Sequence, residues 1–332
     1  MNASSASYGT ALGNCGKWNL NELIDDQGRY KYMKKVFIMS NLFIFRLYRA
    51  RKADNQQKCL VKIFKKDSLE AQSEAKLLSL ISHPRILAFS SNTTTEFDLN
   101  PEETSTFMML EFEDAPRDDL LSLIAAFHYF PKFIARSYFH QIVEVVEYLH
   151  DLNICHLNIN PASIFLDEQY SMKLAGFDRA KQLIGSEYVD SSVIPEILDP
   201  SFDSPEIRQN ISCNGYLSDV FSLGMVLFLM ISGALPFSSA TKDDELYQVI
   251  VNEKFDEFWA YHEDEMKSEF NYPTDFFDKD FRDLINKMLC SKESDRMSLK
   301  DIKESVWYKQ HTLEGEKLTD FVIQVTKKMC LY

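Results

Sequence analysis

One stretch of 34 residues, EYLHDLNICHLNINPASIFLDEQYSMKLAGFDRA (147–180), constrains this chain more than any other. It reads as the apolar end of a helix, a turn centred on His156, two short apolar strands and a Gly-Phe-Asp turn, at fixed spacing. What lies on either side differs in kind. From Lys31 to Phe64 apolar and polar residues alternate around VFIM, LFIFRLY and CLVKIF, which predicts strands. Asp67 to Ile81 carries apolar residues at helical spacing and stops before His83-Pro84. Two more strands are predicted around Leu87–Phe89 and Phe107–Phe112, with the polar SNTTTEFDLNPEET as a loop between them. After Pro116 the pattern is mostly helical. Strands first and helices afterwards predict an α+β chain with a small sheet lobe and a larger helical lobe.

Composition narrows the function classes. The 332 residues suffice for two lobes that each bury a core. A net charge of −14 argues against nucleic acid or an anionic membrane as the main partner. Residues 256–283 hold ten acids against Lys267, Lys279 and Arg282, either a solvated face or a docking surface for a basic partner. The six cysteines are scattered without a C-x-x-C pair, as in reduced thiols of a cytoplasmic protein. Residues 1–29 read as a flexible extension without a secretory signal, and Asn2 stands where N-myristoylation would require glycine. The apolar run Gly224–Phe237 falls short of the roughly 18 residues a membrane span needs. Near the end, Leu318, Phe321, Val322, Val325 and Met329 share one helical face, packed on the chain's own domain or offered to a partner.

The 147–180 stretch resembles the catalytic and metal-binding loops of eukaryotic protein kinases, H-R-D-L-x-x-x-N and D-F-G. The resemblance extends both ways. CLVK resembles V-A-I-K with Lys62 as its lysine, Glu74 stands where the helix-C glutamate belongs, and LEFED (110–114) resembles the hinge between lobes. SPE (204–206) resembles A-P-E, DVFSLG (219–224) the start of the central buried helix, and Arg296 the partner of Glu206. The order holds over roughly residues 30–310, and the extended helical end is most similar to the calcium/calmodulin-dependent kinase group. The resemblance implies a bilobal fold: an N-lobe (30–112) of mainly antiparallel strands with helix C, a C-lobe (113–311), and an amphipathic C-terminal helix (312–332).

The resemblance also marks departures. The stretch Ser40–Phe45 lacks every glycine of the phosphate-covering G-x-G-x-x-G loop. Asn158 replaces the catalytic Asp, Asn160 the lysine that steadies the transferred phosphate, Ser163 one magnesium-holding Asn and Gly176 the D-F-G Asp. Asp178, two residues along the turn from Gly176, is expected to point its carboxylate away from the metal position. Leu60 replaces the small residue against adenine, which predicts weak ATP binding or none. Leu157 replaces the Arg that grips an activation-segment phosphate. His156, Phe177, Asp219 and Leu78, with Phe89 as a fifth, match positions that stack through both lobes.

The expectation is therefore a catalytically degenerate member, a pseudokinase that is not an enzyme, with no cofactor and no metal site. Lys62 and Glu74 are either vestigial nucleotide contacts or a structural ion pair. The expected role is a protein-binding scaffold or allosteric regulator in the cytoplasm, with the cytoskeleton as a candidate site of association. A structural subunit of a larger assembly is the alternative. An atypical active kinase using Asp178 is the third reading, and it would need at least two acids converging near Lys62.

Overall fold

The computed structural model describes residues 30–35, 45–52, 54–65, 67–100, 103–197, 199–272 and 276–329. The predicted N-terminal extension and residues 40–44 of the glycine-loop counterpart lie outside them. Five antiparallel strands form one sheet in the order β1-β2-β3-β5-β4: β1 (Tyr30–Lys35), β2 (Phe45–Lys52), β3 (Lys58–Lys65), β4 (Phe89–Asn100) and β5 (Glu103–Glu113). Alternation along β3 sorts its side chains. Cys59, Val61 and Ile63 join Tyr48, Ala50 and Met109 in a small cluster on one face. Leu60 and Phe64 turn the other way, into the main core, and Lys62 shares their parity.

Helix α1 (Leu69–Leu78) starts on Ser68, whose Oγ accepts the Ala71 amide at 3.1 Å. Ala71, Glu74, Ala75 and Leu78 follow at i, i+3, i+4 and i+7 and are all buried. Glu74 thus rides on the apolar face, flanked by alanines small enough for close approach.

The segment predicted as a polar loop is instead a hairpin. β4 and β5 pair from Phe89↔Phe112 to Asn100↔Glu103, while β3 accompanies β5 only as far as Lys65↔Phe107. Beyond that point the ladder has no third strand beside it among the described residues. Polar residues are no obstacle to such a two-stranded arm, and β-branched Thr93, Thr94 and Thr95 favour it.

The larger lobe is helical: α2 (Leu120–Phe127), α3 (Lys132–Asp151), the short α4 (Pro205–Arg208), α5 (Gly215–Ser232), α6 (Glu245–Val251), α7 (Phe255–Phe270), α8 (Lys279–Met288), α9 (Leu299–Glu304) and α10 (Glu316–Met329). Helix α5 is long and apolar enough to cross a membrane, yet 89% of it is buried inside the fold, as befits a core helix. It stops at Gly233, whose φ is +75° and where a Cβ would run into the His128 carbonyl. Helix α10 lays Leu318 and Val322 into the core and sets Phe321 against Phe133, ring centroids 5.3 Å apart. A three-stranded sheet of β6 (Arg117–Asp119), β8 (Ile164–Leu166) and β9 (Met172–Leu174) underlies the junction with the smaller lobe, where Ile86 bridges Leu174. Two short antiparallel ladders complete the lobe: β7 (Ile154–Cys155) with β10 (Lys181–Gln182), and β11 (Tyr188–Val189) with β12 (Cys213–Asn214).

Candidate functional site

Three charged side chains from three elements meet between the lobes. Lys62 Nζ on β3 donates to Glu74 Oε2 on α1 at 2.7 Å and to Asp178 Oδ1 at 3.0 Å. All three are buried, at 4%, 1% and 6% exposure. Asp178 is buried, and its carboxylate points at Lys62. The cause is local. Gly176 adopts a left-handed φ of +80°, and Phe177–Arg179 then curl into one 3₁₀ turn. That turn sends Phe177 against His156, ring centroids 4.7 Å apart, and the next side chain toward β3. Two acids therefore converge on Lys62.

The cluster carries one ammonium and two carboxylates, a formal charge of −1 in a dry place. Among the described residues, Glu74 Oε1 is buried with no hydrogen-bond partner. Burial pushes the Glu74 carboxyl up to about 7; Lys62 and, more weakly, the Phe177 backbone oppose that shift, and Asp178 adds to it. Burial works against the Lys62 ammonium, but Asp178 and Glu74 together hold its pKa above the usual lysine value.

The turn around His156 is organised by Asp219 at the start of α5. Asp219 Oδ2 accepts the His156 amide at 2.8 Å and lies 2.9 Å from His150 Nε2, while Oδ1 accepts the Leu157 amide at 2.8 Å. His156 Nδ1 accepts the Asn158 amide at 3.2 Å, which leaves Nε2–H to donate to the Ala175 carbonyl at 3.0 Å. Burial lowers the His156 pKa, in keeping with a neutral ring. Leu78, Phe177 and His156 are buried, and Phe89 is half-buried against Phe112.

Asn158, Asn160, Ser163 and Gly176 also come together. Asn160 Oδ1 caps the Pro161–Ser163 turn by accepting the Ala162 and Ser163 amides, both at 3.0 Å. Ser163 Oγ donates back to the Asn160 carbonyl at 2.8 Å. Asn160 Nδ2 donates to Asn158 Oδ1 at 2.9 Å, and Asn158 Nδ2 to the Gly176 carbonyl at 3.2 Å. A Cβ at Gly176 would sit 3.2 Å from Ser163 Cβ and 3.3 Å from Asn158 Nδ2. The polar groups at these four positions thus bond to one another.

That donor set does not fit the magnesium ions the resemblance implies. Gly176 offers no ligand, Asn160 and Ser163 are committed to their cap, and Asp178 is tied to Lys62. Among the described residues no group of three or more His, Cys, Asp or Glu could hold a metal ion. Leu60 is fully buried in the main core, paired across the sheet with Arg49 and Phe112.

Further from the cleft, Arg296 grips Glu206 with two nitrogens, at 2.8 and 3.3 Å, and also donates to the carbonyls of Leu217 and Cys290. The sequence alone does not suggest a second buried fork. Arg179 Nη1 and Nη2 donate to Asp203 Oδ1 and Oδ2 at 2.7 and 3.3 Å. A lone Arg after Gly-Phe-Asp and an Asp before Ser-Pro-Glu match no motif, so only folding reveals that they meet.

A family model described as the protein kinase domain matches residues 46–308. CBL-interacting protein kinase 11 of Oryza sativa subsp. japonica is 26% identical over 290 residues, which cover 85% of this chain and 52% of that protein. CBL-interacting protein kinase 26 of the same organism is 26% identical over 272 residues, covering 80% and 50%. Serine/threonine-protein kinase GIN4 of Saccharomyces cerevisiae is 28% identical over 232 residues, covering 70% and 18%. The chain spans about half the length of the two rice relatives. These comparisons overturn the expectation that the chain is not an enzyme. The matching domain is that of protein kinases and the relatives are named kinases, which points to a kinase enzyme, and nothing in the match marks lost activity.

Proposed function

The chain belongs to the protein kinase domain family, and from that premise we propose that it works through a protein partner, as a scaffold or allosteric regulator built on the kinase fold. One observation carries this reading. The polar groups at Asn158, Asn160, Ser163 and Gly176, where the resemblance implies a base, a phosphate-steadying lysine and metal ligands, are spent on one another. With Leu60 buried in the main core, the three charges of Lys62, Glu74 and Asp178 tie β3, α1 and the Gly176 turn to one another. Signals then pass through surfaces attached to that core. Helix α1 is the first candidate, because Leu69 at its start and Leu80 just past its end are 73% and 63% exposed. The apolar face of α10 is a weaker one, since Leu318 and Val322 are used up on the chain's own domain.

A second reading has its own observation. The condition set for phosphoryl transfer by displaced groups, two acids converging near Lys62, is met by Glu74 and Asp178. If transfer takes place here, it runs through Lys62 and Asp178, the cation and acid at the junction of the lobes.

A thermal-shift titration with ATP, with and without magnesium or manganese, separates the two, followed by transfer of radiolabelled phosphate to the protein itself and to a generic serine-containing substrate. No shift at millimolar ATP and no labelling support the partner-binding reading. A metal-dependent shift and labelling that both vanish in Asp178→Asn replace it with the phosphotransfer reading.

A further inference from the structure

The segment from Gly176 to Glu206 connects the inter-lobe turn to the base of the larger lobe; two short ladders, β10 with β7 and β11 with β12, tie it to the lobe, and one buried ion pair ties it to itself. At its start, Arg179 is 1% exposed; near its end, Asp203 is 6% exposed. Their fork joins two residues 24 apart in the sequence and closes the segment into a loop. Among the described residues, Arg179 Nε is buried with no hydrogen-bond partner, and Asp203 supplies the compensation for this buried guanidinium.

The middle of the segment is fastened differently. Leu157, where the resemblance places a phosphate-gripping Arg, is 2% exposed and packs with Cys155, Val189, Ile194 and Cys213. Val189 pairs with Cys213 in the β11–β12 ladder. Ser191 is buried, and its hydroxyl donates to the Ile211 carbonyl, so it faces inward. Ser192 is exposed, but its Oγ donates to Asp190 Oδ1 at 2.7 Å, and a phosphate there would sit beside a carboxylate.

We infer that the Arg179–Asp203 pair is a built-in clasp that orders the 176–206 segment without an added phosphate, with the Leu157 cluster as its second fastening. An internal ion pair and an apolar plug together do the work that a phosphate and an arginine would otherwise share. The segment is therefore set once, by folding, and Ser191 and Ser192 are not its switch. This inference does not depend on whether the cleft transfers phosphate.

Hydrogen exchange of the full chain, read by mass spectrometry over residues 180–203 and over α5, tests the clasp. In Arg179→Met, exchange across the segment rises about tenfold or more while α5 stays protected. The double reversal Arg179→Asp with Asp203→Arg restores most of the protection, and Ser192→Glu leaves wild-type exchange unchanged. Asp203→Asn, which keeps the shape and removes the charge, serves if Arg179→Met does not fold. Unchanged exchange in the single variants overturns the clasp. So does a rise shared equally by α5, a double reversal no better than either single change, or slower exchange in Ser192→Glu.

Discussion

Two of the buried charge clusters differ in balance. At the base of the larger lobe, Arg296 and Glu206 form a one-to-one pair whose remaining donors go to the Leu217 and Cys290 carbonyls. Between the lobes, Lys62 serves two carboxylates, and Glu74 Oε1 has no hydrogen-bond partner among the described residues. The first cluster is balanced in charge and can be purely structural. The second pairs one ammonium with two carboxylates, and burial with Asp178 raises the proton affinity of Glu74. The difference teaches where this fold can respond to its surroundings: at the joint between β3, α1 and the Gly176 turn, and not at the base.

The largest effect should come from the balanced pair. Arg296→Met leaves Glu206 buried without its partner, and such losses typically cost about 3–5 kcal/mol. Urea unfolding followed by circular dichroism would measure it. A cost below about 1 kcal/mol would break the comparison, because the base would then be no more fixed than the cleft.

Lys62→Met should cost nearly as much at pH 8, about 3 kcal/mol, since two carboxylates are then stranded together. The sign of its pH dependence distinguishes it. Glu74 titrates near 7 in the fold, above its ordinary value of 4.5, so the folded state binds its proton more tightly than the unfolded chain does. The stability tied to that proton is present at low pH and is lost as pH rises from about 4.5 through about 7. In Lys62→Met the proton is held more tightly still, so the destabilisation should shrink as pH falls toward 5. A penalty independent of pH would mean that Glu74 is not the proton acceptor.

Gly176→Ala probes the turn that delivers Asp178. Its φ of +80° is strained for any other residue, and the new Cβ would press on Ser163 Cβ at 3.2 Å and Asn158 Nδ2 at 3.3 Å. The expected cost is about 1–2 kcal/mol. It should be accompanied by faster exchange at Phe177–Arg179 and none at Arg296. Equal loosening of both regions would show that the turn is not an independent unit.

How much of this was legible beforehand follows from the kind of signal each residue carries. The order of strands and helices, the Glu206–Arg296 pair and the Lys62–Glu74 contact rest on motifs whose spacing mirrors a shared backbone, so residue type alone located them. The contact of Asp178 with Lys62 was not legible, because it depends on the left-handed φ of Gly176 and the 3₁₀ turn that follows, which residue types do not announce. The Arg179–Asp203 fork was invisible, since its partners are 24 residues apart and each is an ordinary charged residue by itself. The β4–β5 arm was not legible because its polarity reads as a loop signal, whereas backbone pairing between two strands does not require apolar residues. Reading function from missing residues proved the least secure step. Substitutions at Asn158 and Gly176 are local facts, whereas the domain match and the named kinases concern the whole fold and point to an enzyme.

The smallest stability change, and the sharpest test of the comparison, belongs to Asp178→Asn. The substitution removes the excess negative charge but keeps an amide oxygen that can accept from Lys62. Net stability at pH 7 should therefore shift by no more than about 1 kcal/mol. What should change is the titration. Asp178 is one of the two influences that push Glu74 up, the other and larger being burial. With Asp178 neutral, Glu74 faces Lys62 alone, and its pKa should fall toward the usual carboxylate range. The loss of stability between pH 5 and 7 should then flatten, from a limit of about 1.4 kcal/mol per pH unit for one proton. Unfolding curves at closely spaced pH values would resolve this without any assumption about catalysis. If the slope in Asp178→Asn matches that of the wild type, burial alone governs Glu74. The cleft would then be a second balanced pair with a bystander acid, and the distinction between the two regions would collapse.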